Sequence, residues 1–92
     1  MSMKRKLLIQ QYEKVRESIV ANVEIITKLV DQADSLTELA NAIKEKDPKN
    51  ENLLKDIESQ IADLKDSITD LIKQTGKLFD SYSAFADEVF DN

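Results

Sequence analysis

A polar stretch at residues 43–54, IKEKDPKNENLL, separates two long segments in which apolar residues recur at helical spacing. Pro48, the only proline of the chain, disfavours a helical conformation at Asp47 and is well tolerated at the first position of a following helix. Asp47 is itself a residue type that caps helix starts. We therefore expect a single helical-hairpin domain over residues 1–92, with helix 1 at about 4–46, a turn at 47–49 and helix 2 at about 50–90.

Both segments carry a seven-residue apolar repeat, the pattern of a coiled coil with a and d core positions. The first repeat has Tyr12, Ile19, Ile26, Ala33 and Ala40 at a, and Leu8, Val15, Asn22, Leu29, Leu36 and Ile43 at d. The second has Leu54, Ile61, Ile68, Thr75, Tyr82 and Val89 at a, and Ile57, Leu64, Leu71, Leu78 and Phe85 at d.

Folding the chain back between Pro48 and Lys49 tests whether the two repeats fit each other. Residues then lie level when their numbers add to 97, and all eleven a/d pairs meet that sum. The two polar members, Asn22 and Thr75, fall in the same pair, where a polar layer would set the register of the helices. The sequence therefore predicts an all-α fold, a long antiparallel helical hairpin of the coiled-coil type.

Gly76 leaves a second topology open, because a glycine could end helix 2 early and start a third helix. The sevenfold spacing of Leu71, Leu78 and Phe85 continues across it without a change of phase. We therefore expect a continuous helix 2 and keep the three-helix bundle as the alternative.

The composition excludes much of enzyme chemistry. The chain has one glycine and neither histidine nor cysteine, so it lacks a glycine-rich phosphate loop, an imidazole base and a thiolate ligand. Asp56, Asp63 and Asp70 recur every seven residues at outward c positions, which favours a solvated acidic surface over a metal site. We expect no catalytic residue, cofactor, metal or small-molecule substrate.

Charge and hydropathy constrain the partners and the compartment. The net charge is −5, and the basic cluster Lys4, Arg5 and Lys6 is expected to lie level with acidic Glu88 and Asp91, so nucleic-acid binding is not predicted. The apolar run at residues 7–9 is too short for a secretory signal, and no stretch reaches the ~20 residues of a membrane span. We expect a cytoplasmic protein, with export without a cleaved signal as the alternative.

The a and d positions form the seam between the two helices, and a second apolar stripe lies outside it. The residues of this stripe are at b and e positions, where a lone hairpin would expose them to water. Its members are Ile9, Val20, Val23 and Val30 on helix 1, and Ile72, Gly76, Phe79, Ala86 and Phe90 on helix 2. An exposed apolar stripe marks an interface. We predict that a second copy covers it in a dimeric four-helix bundle, or that another helical protein does.

These observations favour a non-enzymatic protein–protein interaction or assembly module. One alternative is a small secretion-system or structural assembly subunit: the chain resembles the secreted Trp-x-Gly hairpin family in length and topology, without its Trp-x-Gly turn. The turn at residues 47–54, DPKNENLL, is similar to that of type III secretion needle subunits. A second alternative is a small acidic inhibitor, immunity or anti-host protein that binds a basic site through Asp63, Asp66 and Asp70.

Overall fold

The computed structural model describes residues 2–90 and contains two long helices. Helix α1 spans Met3–Lys46 and helix α2 spans Glu51–Phe90, and the described residues include no strand. The two helices pack against each other as a helical hairpin. The predicted all-α hairpin is therefore confirmed, and α2 runs through Gly76 without a break.

The turn differs from the expectation in its helix cap. The Asn50 amide donates to the Asp47 carbonyl at 3.1 Å, and the Leu54 amide donates to the Asn50 carbonyl at 3.2 Å. Asn50 therefore precedes the first helical residue of α2, and the predicted N-cap at Asp47 is wrong. The physical reason is that the Asp47 carbonyl is used to close the turn around Pro48, which delays the helix start to Glu51.

Serine caps the other helix start. The Ser2 hydroxyl accepts a hydrogen bond from the Arg5 amide at 3.2 Å, and the Ser2 carbonyl accepts one from the Lys6 amide at 3.1 Å. A side-chain acceptor three residues before the amide it serves is the usual N-cap arrangement, and it satisfies a donor that the first turn leaves unpaired.

The chain divides into two compact units, each with a segment of both helices. We call residues 1–25 with 71–92 the terminal half, and residues 26–70 the turn half. In the terminal half the most buried side chains are Ile19, Thr75 and Val89. In the turn half they are Ala40 and Ile57, a small and a large residue whose numbers add to 97. Burial in both halves thus follows the a and d positions.

A surface ion pair flanks the core of the turn half. The Lys44 Nζ lies 3.6 Å from the Glu58 Oε1, and both side chains are more than half exposed. Exposed pairs of this kind contribute about 0 to 1 kcal/mol. The turn half therefore depends on burial of its seam rather than on this contact.

Engineered cysteines test which residues of the two antiparallel helices lie opposite each other in the turn half. The chain has no cysteine, so Leu36→Cys with Ile61→Cys introduces a single pair at one level. We expect a disulfide within one chain, visible as faster migration on a non-reducing gel. The control pair, Leu36→Cys with Ile68→Cys, displaces one thiol by roughly 10 Å along the helix, beyond disulfide reach. Disulfides that form only between chains would contradict the hairpin.

Candidate interaction surface

Asn22 and Thr75 contact each other across the core of the terminal half. The Asn22 Nδ2 donates to the Thr75 Oγ1 at 3.2 Å, and the Thr75 hydroxyl donates to the Leu71 carbonyl at 2.6 Å. Thr75 thus uses its hydroxyl as donor and acceptor while only 6% exposed. No buried side-chain polar atom among residues 2–90 lacks a hydrogen-bond partner, so the polar layer is satisfied. Its role in setting the register stays a prediction.

Eight of the nine predicted interface residues lie in the terminal half, on one side of its seam. In an antiparallel pair the e positions of the two helices flank the same side of the core, and the b positions lie next to them. We call this set the apolar face: Ile9, Val20, Val23, Ile72, Gly76, Phe79, Ala86 and Phe90. The ninth residue, Val30, belongs to the turn half and is 40% exposed.

The apolar face exposes large side chains in this chain. Phe90 is 69% exposed, Ile72 56%, Val20 53% and Phe79 51%. A phenylalanine presents roughly 150–250 Å², so the two phenylalanines alone expose on the order of 200 Å². With the aliphatic members added, the apolar face exposes a few hundred Å², the size of the largest apolar patch on a typical monomeric protein, which is often functional.

Gly76 lies within this face without a structural need for glycine inside the chain. It has no positive φ, and a Cβ added there would meet nothing within 4 Å. Glycine in a helix interior costs about 1 kcal/mol relative to alanine. The packing of the hairpin itself therefore gives no reason for this residue.

Tyr12 and Tyr82 contact each other next to the apolar face. Their numbers do not add to 97, so the pairing derived from the sequence did not predict this contact. The Tyr12 and Tyr82 hydroxyl oxygens lie 2.6 Å apart, and the rings stack with centroids 4.7 Å apart at 27°. Phe90 packs edge-on to Tyr12 at 5.7 Å and 86°. Tyrosine is long enough to reach diagonally across a seam, and the pairing lets each polar tip satisfy the other.

The tyrosine contact changes the acidity of one hydroxyl. The hydrogen bond with Tyr82, followed by partial desolvation, raises the pKa of Tyr12 above its ordinary value of 10.0. The protonated, neutral Tyr12 is therefore the form that the folded terminal half stabilises.

Surface grooves on the hairpin have shallow walls. One is lined by Arg16, Glu17, Val20, Ala21 and Glu24, and another by Asp31, Gln32, Ser35 and Leu36. Each set comes from α1 alone, so neither groove has an opposing wall that would enclose a substrate.

The aspartates at the outward c positions of α2 lie on its surface. Asp56, Asp63 and Asp70 are all exposed. Within residues 2–90, no group of three or more acidic, histidine or cysteine side chains is placed to hold a metal ion. The acidic-inhibitor hypothesis, which depends on Asp63, Asp66 and Asp70, stays a prediction because no described contact tests it.

The basic cluster lies beside an acidic residue of α2. A groove in the terminal half is lined by Ser2, Lys4, Arg5, Leu8 and Glu88, so Glu88 shares a surface with two members of the cluster. Asp91, expected at the same level, lies outside the described residues. In the part of the chain from residue 2 to 90, neither helix has a stretch long and apolar enough to cross a membrane.

Other exposed apolar side chains escaped the sequence analysis. They are Met3, Leu7, Ile25, Leu39 and Leu53. Ile25, Leu39 and Leu53 occupy g positions on the opposite side of the seam, which the heptad register could have identified. They are isolated among polar neighbours such as Gln32 and Gln60, so they form no continuous stripe.

The chain matches no protein-family model, and comparison with curated proteins and with solved structures gives no match either.

Replacing Tyr82 tests what raises the pKa of Tyr12. Because the folded-state pKa is raised, the Tyr12 interaction stabilises the fold fully below pH 10 and is lost as the pH rises through the folded value. In Tyr82→Phe we expect the Tyr12 titration midpoint, followed by NMR of its ring protons, to fall towards that of the urea-unfolded chain. An unchanged midpoint in Tyr82→Phe would rule out the hydrogen bond as the main cause.

The polar layer yields a second prediction, on stability. Thr75→Val removes the acceptor of the Asn22 amide, and we expect it to lower the free energy of unfolding by about 1 kcal/mol. Asn22→Leu with Thr75→Val replaces both partners by apolar groups, which should restore or exceed the native stability. Urea unfolding followed by circular dichroism measures both. A double variant less stable than Thr75→Val would show that the layer contributes net stability.

Proposed function

We propose that the chain is a non-enzymatic protein–protein interaction module, whose apolar face binds a helical surface of another polypeptide. The observation that carries the proposal is the exposure of Ile72, Phe79 and Phe90 on α2 next to Val20 and Val23 on α1. These side chains sit on regular helices, which hold them in fixed positions for a partner.

The thin core supports a partner as well. No side chain among residues 2–90 is fully buried, since each core residue of a two-helix pair is covered from one direction. A further helical layer on the apolar face would cover Tyr12 and Tyr82, which are half-buried. Binding would thus complete the core of the terminal half as well as bury the face itself.

The free energies of burial and association indicate how much of the apolar face a partner must cover. At about 25 cal/mol per Å², burial of the ~200 Å² exposed by Phe79 and Phe90 contributes roughly 5 kcal/mol. Association costs about 4–15 kcal/mol in lost motion. The phenylalanines alone would not hold a complex, so binding requires the aliphatic members and an equally apolar partner surface.

Gly76 is explained by the same proposal. A glycine that costs the helix stability, and that no contact within the chain requires, is useful where a backbone or a large side chain of a partner approaches closely. Its place between Ile72 and Phe79 puts that approach near the Ile72 end of the face. Gly76 is therefore the position at which the partner fits most tightly.

Thiol labelling inside the cells of origin tests this proposal for any protein partner. Phe79→Cys places a single thiol on the apolar face, and Ile25→Cys places one on the opposite side at similar exposure, 51% and 45% for the native residues. We expect Phe79→Cys to react at least tenfold more slowly than Ile25→Cys in cells, and at a similar rate after denaturation. Equal rates in cells would contradict an occupied apolar face.

A further inference from the structure

We infer that the occupant of the apolar face is a second copy of this chain, related by a two-fold axis that runs across both helices. This inference rests on the proposed function and specifies its partner. Such an axis places α1 antiparallel on α1 of the other copy, and α2 antiparallel on α2. Each residue then meets a residue of the same helix, and their numbers have a constant sum.

The charges of α1 fix where the axis lies. At the e and b positions from Ile9 to Val23, the only charged residues are Glu13 and Arg16, three apart and of opposite sign. A two-fold axis midway between them brings Glu13 of each copy opposite Arg16 of the other. Paired numbers on α1 then add to 29, so Ile9 faces Val20. Val23 faces Lys6, whose aliphatic stem can cover the valine while its ammonium group stays in water.

The side-chain sizes on α2 test this axis independently. The Asn22–Thr75 hydrogen bond shows that level residues of the two helices add to 97, so the same axis requires sums close to 165 on α2. Phe79 then faces Ala86, and Phe90 faces Gly76. Each large ring meets a small residue, which is the arrangement that lets packed layers interdigitate.

The other simple two-fold arrangement fits less well. An axis parallel to the helices would stack α1 on α2 of the other copy at the same level. Glu13 and Arg16 would then face the uncharged stretch of α2 around Phe79, Ser83 and Ala86. Desolvating two charges without a partner is costly, so the antiparallel arrangement is the favoured one.

The available area suffices for a dimer. With these sums, the overlap between the copies covers residues 6–23 of α1 and residues 75–90 of α2, roughly 27 Å and 24 Å at 1.5 Å per residue, and Ile72 lies just beyond it. Each helix is about 10 Å wide. The footprint is therefore on the order of 500 Å² per copy, or about 1,000 Å² in total, which reaches the ~1,000 Å² that a specific interface needs.

Charge reversal with complementation tests the inference by light scattering over a concentration series. The native chain should show twice the 10.5 kDa chain mass. Arg16→Glu alone and Glu13→Arg alone each place like charges opposite one another twice, and should raise the dissociation constant at least tenfold. An equimolar mixture of these two variants should return to the dimer, as should the double variant Glu13→Arg/Arg16→Glu.

Matched controls separate the face from its charges. Phe79→Asp should give a monomer, and Ile25→Asp, on the opposite side, should remain a dimer. Circular dichroism checks that each variant keeps its helices. A dimer that ignores both charge reversals would overturn the antiparallel axis.

A native chain that stays monomeric at every concentration would overturn the second copy as partner. The thiol protection at Phe79→Cys would still report on the proposed function, because it detects any covering protein. Protection in cells with a monomeric purified chain thus separates the two failures.

Discussion

In a pair of helices, each core side chain is covered by the facing helix alone. The rest of the structure depends on this limited burial. The seven-residue repeat keeps one narrow stripe of each helix turned inward over about 40 residues. Even so, the best-covered side chains remain 3–7% exposed, and most seam residues are half-buried. A hairpin of this kind gains less from burial than a bundle does. Apolar side chains outside the core therefore stay exposed, among them Phe79 and Phe90, and we propose that these side chains mediate association.

The polar layer of Asn22 and Thr75 is the feature that we predict sets the register of the two helices. A seam of similar aliphatic residues could shift by one heptad at modest cost, but Asn22 and Thr75 satisfy each other only when they face one another. The Thr75 hydroxyl also bonds to the Leu71 carbonyl, so its remaining acceptor capacity is directed at the other helix. We predict that the layer lowers stability somewhat in return for a defined alignment, one that keeps Phe79 and Val20 on the same side.

The hairpin could be predicted from the sequence because period and burial are directly linked in helices. Ala40 with Ile57 and Asn22 with Thr75 follow from the heptad register and one fold-back point. The Tyr12–Tyr82 stack could not be predicted that way, since it depends on side-chain length and on a hydroxyl pairing that skips a level. The cap of α2 was missed for a related reason: whether Asp47 or Asn50 ends the turn depends on the path of the chain around Pro48. The partner that we propose for the apolar face depends on a second polypeptide, which the pattern of one chain does not specify.

The position of the apolar face within the hairpin follows from a change of chemistry along the same heptad positions. In the terminal half the e and b positions of α2 carry no charge from Ile72 to Phe90. In the turn half, equivalent positions hold Lys44 and Glu58, which form an ion pair with each other. A partner that covered this pair would have to remove both charges from water, at a cost of several kcal/mol. The docking that we propose is therefore expected in the terminal half rather than the turn half, because outward-facing positions of the repeat are free to differ where inward-facing ones are not.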